Sequence, residues 1–466
     1  MSEPVAQINS ELARQVRERL DQNVYLCYQC AKCTSGCPVG EFFDWQPHQI
    51  MRAVQLGQDD IALESQTPWL CASCQTCTTR CPQGLDIAAI MENLTQIAVE
   101  RGVAPKVPEV RLFSQAFLRE VSLWGRAYEP GLIMEFNLRS GKLLNNMDLG
   151  VRMIRKGKIK YLPGLSRPPR RARRIDGAES AVAYYPGCSL HSTATEYNES
   201  AKAVAEALGL RLIEPKGWVC CGATAAHRTD ADLALRLPMR NLALIEQRGF
   251  EQVVMPCAAC FNRHKAALHE IRQHPERRAW ANEDLGYEYQ DRVQVVTMND
   301  LLFSEGGVEP LAATGKRPPA GLKVVCYYGC LLTRPPEVTE ARHPENPTDM
   351  EAILRALGAE TLDWSSKTRC CGAAHALGKL DIVLDLSRRL IEDARAAGAD
   401  VIALACPMCH ANLDGRQFQM QGLEQTMPVL YFTQLMALAL GLGARAAALH
   451  KNLVDPRPLL REKALI

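Results

Sequence analysis

All but one of the 19 cysteines in this 466-residue chain stand in clusters. The first kind is Cys27-x-x-Cys30-x-x-Cys33-x-x-x-Cys37-Pro38, repeated as Cys71-x-x-Cys74-x-x-Cys77-x-x-x-Cys81-Pro82. This is the bacterial ferredoxin spacing for a 4Fe–4S cubane. One turn of chain wraps the cubane so that three near thiolates reach three irons, and the cysteine before proline serves the other cluster. The expected ligand sets are therefore Cys27, Cys30, Cys33 and Cys81 for one cluster, and Cys71, Cys74, Cys77 and Cys37 for the other. Zinc in paired C-x-x-C knuckles is the rival. Zinc has no use for the Cys-Pro ending, and two full copies favour iron–sulfur. Cubanes with every iron capped by protein suit electron transfer rather than substrate chemistry.

The second kind is Cys188-x31-Cys220-Cys221-x35-Cys257-x2-Cys260, repeated as Cys330-x39-Cys370-Cys371-x34-Cys406-x2-Cys409. Each copy offers five thiols, one more than a cubane needs. That implies a spare thiol or a cluster that is not an ordinary cubane. A zinc site with a stray thiol would explain one copy, but two copies with near-equal spacing weigh against it. Adjacent cysteines on an extended chain point opposite ways, so the chain must bend for both to reach one site. Gly222 and Gly372, which follow the pairs, permit that bend. Cys326 lies outside the pattern and reads as a small core residue of a strand.

These thiols need elements to hold them. In residues 179–466, apolar runs ("AVAYYPGC", "RLIEP", "QVVMP"; then "LKVVCYYGC", "AETLDW", "DVIALA") alternate with helical stretches. That pattern predicts two α/β units with parallel sheets. The cysteines fall at strand ends or in the loops after them, where open α/β sheets bind ligands. The fold class is thus α+β and multi-domain. An α-helical ferredoxin-like dicluster domain spans 1–105, a helical and basic linker 106–178, and two tandem α/β repeats 179–310 and 320–466. The basic run "VRMIRKGKIKYLPGLSRPPRRARR" reads as a solvated linker, or as a docking strip for an acidic surface or anionic lipid.

Net charge is +2, which gives no support to a nucleic-acid role. The run "MSEPVAQINSELARQVRERL" has no apolar core for a signal peptide, so the thiols are expected reduced and cytoplasmic. Val429 to Leu449 approaches the length of a membrane span. Its Thr433, Gln434, glycines and Arg445 instead predict a strand end followed by a buried helix. No dinucleotide fingerprint or Walker run is visible. His227 and His375 follow the two Cys-Cys-Gly sequences and are the candidate catalytic acids, since a histidine could protonate a leaving thiolate near neutral pH. His191, His264 and His410 also stand near cluster cysteines, and Arg263 and Lys265 could hold an anion.

The C-terminal zone resembles the B subunit of heterodisulfide reductase, whose hallmark is two such five-cysteine "CCG" motifs. The N-terminal zone resembles its C subunit, down to "CYQCAKCTSGCPVG" and "CASCQTCTTRCPQGLDI", and the ending "PVLYFTQLMALALGLG…VDPRPLL" is similar to the B subunit's tail. Together they cover most of the chain, as a natural fusion in the order C then B. The resemblance implies two cubane clusters and a non-cubane 4Fe–4S cluster at each CCG motif, ligated by Cys188, Cys220, Cys221, Cys257, Cys260 and by Cys330, Cys370, Cys371, Cys406, Cys409. A disulfide or thiol substrate would react between the non-cubane clusters. It also implies a flavin-containing partner of the A-subunit type, with hydrogenase, formate dehydrogenase or ferredoxin modules behind it. Electrons would run from partner to cubanes to non-cubane clusters to substrate. The same layout resembles iron–sulfur subunits of succinate, fumarate, glycolate and glycerol-phosphate enzymes. These pass electrons towards quinone, which would suit a peripheral position at the inner face of the membrane.

Overall fold

The computed structural model describes residues 10–167, 169, 172–304, 315 and 319–466. Residues 1–9 of the amino-terminal run, Pro168, Arg170 and Arg171 of the basic strip, and the expected domain end at 310 lie outside the described residues.

The repeat forms two four-stranded parallel sheets. The first runs β2-β1-β3-β4, from β1 (Val182–Tyr184), β2 (Leu212–Ile213), β3 (Gln252–Val254) and β4 (Gln294–Val296). The second runs β6-β5-β7-β8, from β5 (Lys323–Tyr327), β6 (Glu360–Leu362), β7 (Val401–Leu404) and β8 (Val429–Tyr431). Val253 pairs with Val295 and Val325 with Ile402. Valine and isoleucine recur in the central strands because a parallel sheet is covered on both faces. Helices Thr195–Ala207, Ala231–Gln247 and Ala258–Gln273 cover the first sheet; Asp349–Ala356, Leu380–Ala396 and Pro407–Leu413 belong to the second. Strand order reverses between β1 and β3 and between β5 and β7, the switch point at which open sheets bind ligands.

The two sheets share one core. Helix Thr195–Ala207 packs against Phe432–Ala439, with Tyr197 stacked on Tyr431 at 4.1 Å and Ser200 hydrogen-bonded to Thr433 at 2.7 Å. The 429–449 stretch is thus a strand followed by a buried helix. Among the described residues no helix is long and apolar enough to cross a membrane.

Helices Glu11–Leu20, Pro47–Leu56 and Ile87–Glu100 build the N-terminal module around Leu12, Val16, Ile50, Val54, Ile90 and Leu94. Ser10 and Asp86 cap two of them by accepting from Ala13 N and Ala89 N. Ile382 and Leu386 of the second repeat enter this same core, so the module and the repeat pack as one body.

The middle segment forms three lid helices, Pro108–Trp124, Glu129–Ser140 and Met147–Arg155. It is more than a solvated linker. Val121 and Phe117 pack on Val219 and Leu237 of the first repeat, and Leu149 and Met153 pack on Leu453 of the second. Lys158, from the basic run, is only 2% exposed and donates to Glu196 Oε1 at 2.7 Å.

Candidate functional site

All ten cysteines of the repeat line one cavity of about 270 Å³ between the two sheets and beneath the lid. Cys188, Cys257, Cys330 and Cys406 each follow a strand end, and the Cys-Cys pairs follow β2 and β6. In the first copy Cys221 Sγ lies 3.5 Å from Cys260 Sγ; in the second Cys371 Sγ lies 3.5 Å from Cys409 Sγ. Gly222 N and Gly372 N donate to Cys220 Sγ and Cys370 Sγ at 3.4 and 3.3 Å. Both glycines adopt positive φ, 82° and 77°, the bend the paired thiols require. Cys409, Asn412 and the Ala373 backbone hold the Cys371 thiol below its ordinary value.

Cys71, Cys74, Cys77 and Cys37 line a separate small cavity in the N-terminal module. Cys30 and Cys81 both lie beside Tyr28, and Cys27 lies beside Cys33. The outer group reaches the surface, with Cys30 exposed and Tyr28 59% exposed. The inner group faces the repeat: the Cys74 and Cys370 thiols lie within hydrogen-bonding reach. An all-thiol donor set at these spacings is what iron–sulfur clusters require.

His227 and His375 do not line the ten-cysteine cavity; both face the N-terminal module. His227 Nδ1 donates to Glu92 Oε2 at 2.7 Å, and Arg228 donates to the Cys71 carbonyl. His375 Nε2 donates to the Leu70 carbonyl at 2.9 Å, and burial lowers it to about 3, so it stays neutral. Both imidazoles act as joints between modules. His264 and His410 are buried at 0% and 1% exposure, with His264 held between Asn241 and the Cys260 carbonyl. His191 pairs with Glu214 at 2.9 Å. Lys265 pairs with Glu340 at 2.7 Å, and neither it nor Arg263 lines the cavity. Cys326 is buried in β5 away from the cavity.

Two cavity residues, Arg416 and Glu129, and two glycines packed against cluster cysteines escaped sequence reasoning. Arg416 is 4% exposed, donates to Asn146 Oδ1 at 2.8 Å, and leaves its Nε without a partner. Glu129 brings the one carboxyl among the described lining residues. A Cβ on Gly187 would stand 2.8 Å from Cys260 Sγ, and one on Gly329 would stand 3.1 Å from Cys409 Sγ. The Gly-Cys dipeptide repeated at 187–188 and 329–330 was the available signal for the glycines; Glu129 and Arg416 carried none. Away from the cysteines the wall is apolar, with Phe113, Phe117, Leu132, Ile133 and Met153 supplied by the lid.

Comparison with known proteins agrees with this geometry. The cysteine-rich CCG domain matches residues 182–263 and 324–414, and the 4Fe–4S dicluster domain matches residues 26–86. The chain is an iron–sulfur electron-transfer subunit. It is 32% identical to the 8-methylmenaquinol:fumarate reductase membrane anchor subunit of Wolinella succinogenes, over 60% of this chain and 99% of that one. It is 28% identical to the B subunit of the ferredoxin/F(420)H(2)-dependent CoB-CoM heterodisulfide reductase of Methanosarcina acetivorans, over 59% and 94%. An uncharacterized iron–sulfur protein of Methanocaldococcus jannaschii aligns across 88% of the chain and 72% of its own length at 24% identity. A Helicobacter pylori crystal structure of a hypothetical protein shares the fold, with TM-score 0.51 over 79% of this chain and 70% of that one at 13% identity. The chain belongs to the family of CCG iron–sulfur subunits that includes the B subunit of heterodisulfide reductase, here fused behind a C-type dicluster module.

Proposed function

We propose that this chain is the iron–sulfur subunit of a heterodisulfide reductase-like oxidoreductase acting on sulfur groups. It takes electrons from a flavin-bearing partner and delivers them to the ten-cysteine cavity, where a small-molecule disulfide is reduced or formed. The observation that carries this reading is the convergence of all ten repeat cysteines on one cavity, with Cys370 in reach of Cys74. Cys27, Cys30, Cys33 and Cys81 would hold an outer cubane, and Cys71, Cys74, Cys77 and Cys37 an inner one. Each five-thiol set would hold a non-cubane 4Fe–4S cluster. Clusters bound there supply single electrons, so cleavage of a two-electron bond divides into two steps. The chain fixes the thiols at strand ends, covers them with the lid, and offers Arg416 Nε as an anchor for an acceptor group. Exposed Leu26 and Tyr28, on either side of Cys27, support docking of the partner there.

A second reading passes the electrons towards quinone. It is supported by the apolar cavity wall, which suits a lipophilic substrate better than a charged one, and by exposed Leu143, Leu144, Met147, Val151 and Leu162 on the outside of the lid.

The test is the complex purified with its partner. About sixteen irons per chain support the reading, and about eight with bound zinc overturn it. Cys370→Ser is expected to abolish disulfide turnover while leaving the N-terminal clusters reducible, as seen by paramagnetic resonance. Turnover of a short-chain quinone but of no disulfide would select the second reading.

A further inference from the structure

We propose that Glu129 carries protons between solvent and the ten-cysteine cavity during turnover. This rests on the reading that two electrons meet a substrate there.

Reducing a disulfide consumes two electrons and two protons, and so does reducing a quinone. On that reading the electrons come from the redox partner, and the protons have to be supplied separately. Glu129 is the one carboxyl among the described residues that line the cavity. It also lines a second, smaller pocket with Arg126, Lys160, His191 and Ser192. That pocket lies beside exposed Lys160 and Leu162. Among the described residues only Ala127, Glu129 and Cys188 are common to both linings, so the carboxyl stands where the two pockets adjoin. Its Oε1 accepts from Thr193 Oγ1 at 3.0 Å. Its Oε2 is shut from solvent and has no partner, which leaves one oxygen free to exchange a proton.

The charged neighbours leave it that freedom. Lys158 is committed to Glu196. Arg126 lies over the Trp218 ring at 3.5 Å. His191 is paired with Glu214, while Lys160 faces the outer pocket. Burial raises the Glu129 carboxyl to about 7 against the opposing pulls of Thr193, Ser192 and Lys158. A group balanced near neutrality is suited to giving and regaining a proton.

During reduction the S–S bond accepts two electrons and breaks, leaving two thiolates. One takes the Glu129 proton to form S–H. The carboxylate regains a proton from solvent through the outer pocket, and the second thiolate is protonated on the next exchange. Reduction of a quinone uses the same two protons on its two oxygens.

The test uses the full chain with its partner. The wild-type protein should show an infrared carboxyl band that titrates near pH 7 and is absent in Glu129→Gln. Wild-type turnover should fall as pH rises through about 7, because the protonated form is lost. Glu129→Gln should lower turnover by about 10²-fold and abolish that limb, while its clusters reduce as in wild type. Glu129→Asp should recover part of the rate. Thr193→Val removes a donor that favours the carboxylate, so it should move the limb to higher pH. It keeps the test alive if the Gln variant loses iron. Wild-type rate and pH profile in Glu129→Gln, a band that survives the substitution, or an unmoved limb in Thr193→Val would each overturn the proposal. Reducible clusters without wild-type turnover of any disulfide or quinone would overturn the functional reading instead.

Discussion

Cys370 and Cys371 are neighbours in the chain but face different groups. Cys370 lies against Cys74 and Cys330, while Cys371 lies against Cys409 and Asn412. The positive φ of Gly372 lets both thiols belong to one site. The glycines before the single cysteines act through space instead of direction. Gly187→Ala would add a carbon 2.8 Å from Cys260 Sγ at φ 71°. It is expected to lose about four irons per chain, counted by metal analysis, while Gly209→Ala, whose Cβ meets nothing within 4 Å, keeps them. Glu129 also affects stability. Its carboxyl is raised from 4.5 to about 7 in the fold, so the folded state keeps a proton that the unfolded chain gives up above about 4.5. The group therefore costs stability increasingly from about pH 4.5 to 7, and fully above that. Glu129→Gln should raise the calorimetric midpoint more at pH 8 than at pH 5. Sequence spacing pointed to the cysteine groups, because their chemistry is repeated at fixed intervals. It assigned His227 and His375 by nearness along the chain, and the fold turns both imidazoles towards the other module. Glu129 and Arg416 were invisible because nothing local marks a charged residue that only tertiary packing buries.

At the scale of elements, the lid was the least legible part. Its basic run was plain, but Lys158 in that run is buried against Glu196 at the seam of the two repeats, with His410 Nδ1 3.4 Å from the same carboxylate. Removing one partner of such a pair leaves the other charged and unpaired. Lys158→Met should cost about 3–5 kcal/mol of unfolding free energy, and the double variant Lys158→Met/Glu196→Gln should regain most of it. Denaturant titration reads both. The strands were legible because apolar runs between turn signals have few other solutions. The exception is β4 (Gln294–Val296), whose short apolar run is broken by Gln294 and enclosed by polar flanks. The alternation of strand and helix also predicted parallel pairing, and both sheets are parallel throughout.

At the scale of the molecule, the order of modules along the chain becomes an order in space. The outer cysteine group is at the surface, the inner group is against the repeat, and the cavity lies beyond it. The lid's outer side carries Leu138, Leu143, Leu144, Met147, Val151, Ile154 and Leu162 exposed, with Arg139, Lys142, Arg152 and Arg155 among them. Such a surface should bind vesicles containing anionic lipid and release them as salt rises. Sedimentation with neutral vesicles is the control, and equal binding to both would remove the electrostatic part of this expectation. The contact between Cys74 and Cys370 has a further consequence. The two repeats share their motif, sheet order and bend, yet they meet the inner cysteine group differently: the second through the Cys370 thiol, the first through Arg228 at the Cys71 carbonyl. On the proposed electron path, this difference would give two otherwise similar halves different ranks, one an inlet and the other a terminus. Their potentials would then be free to diverge, and on that path the gradient between them would set the preferred direction of flow.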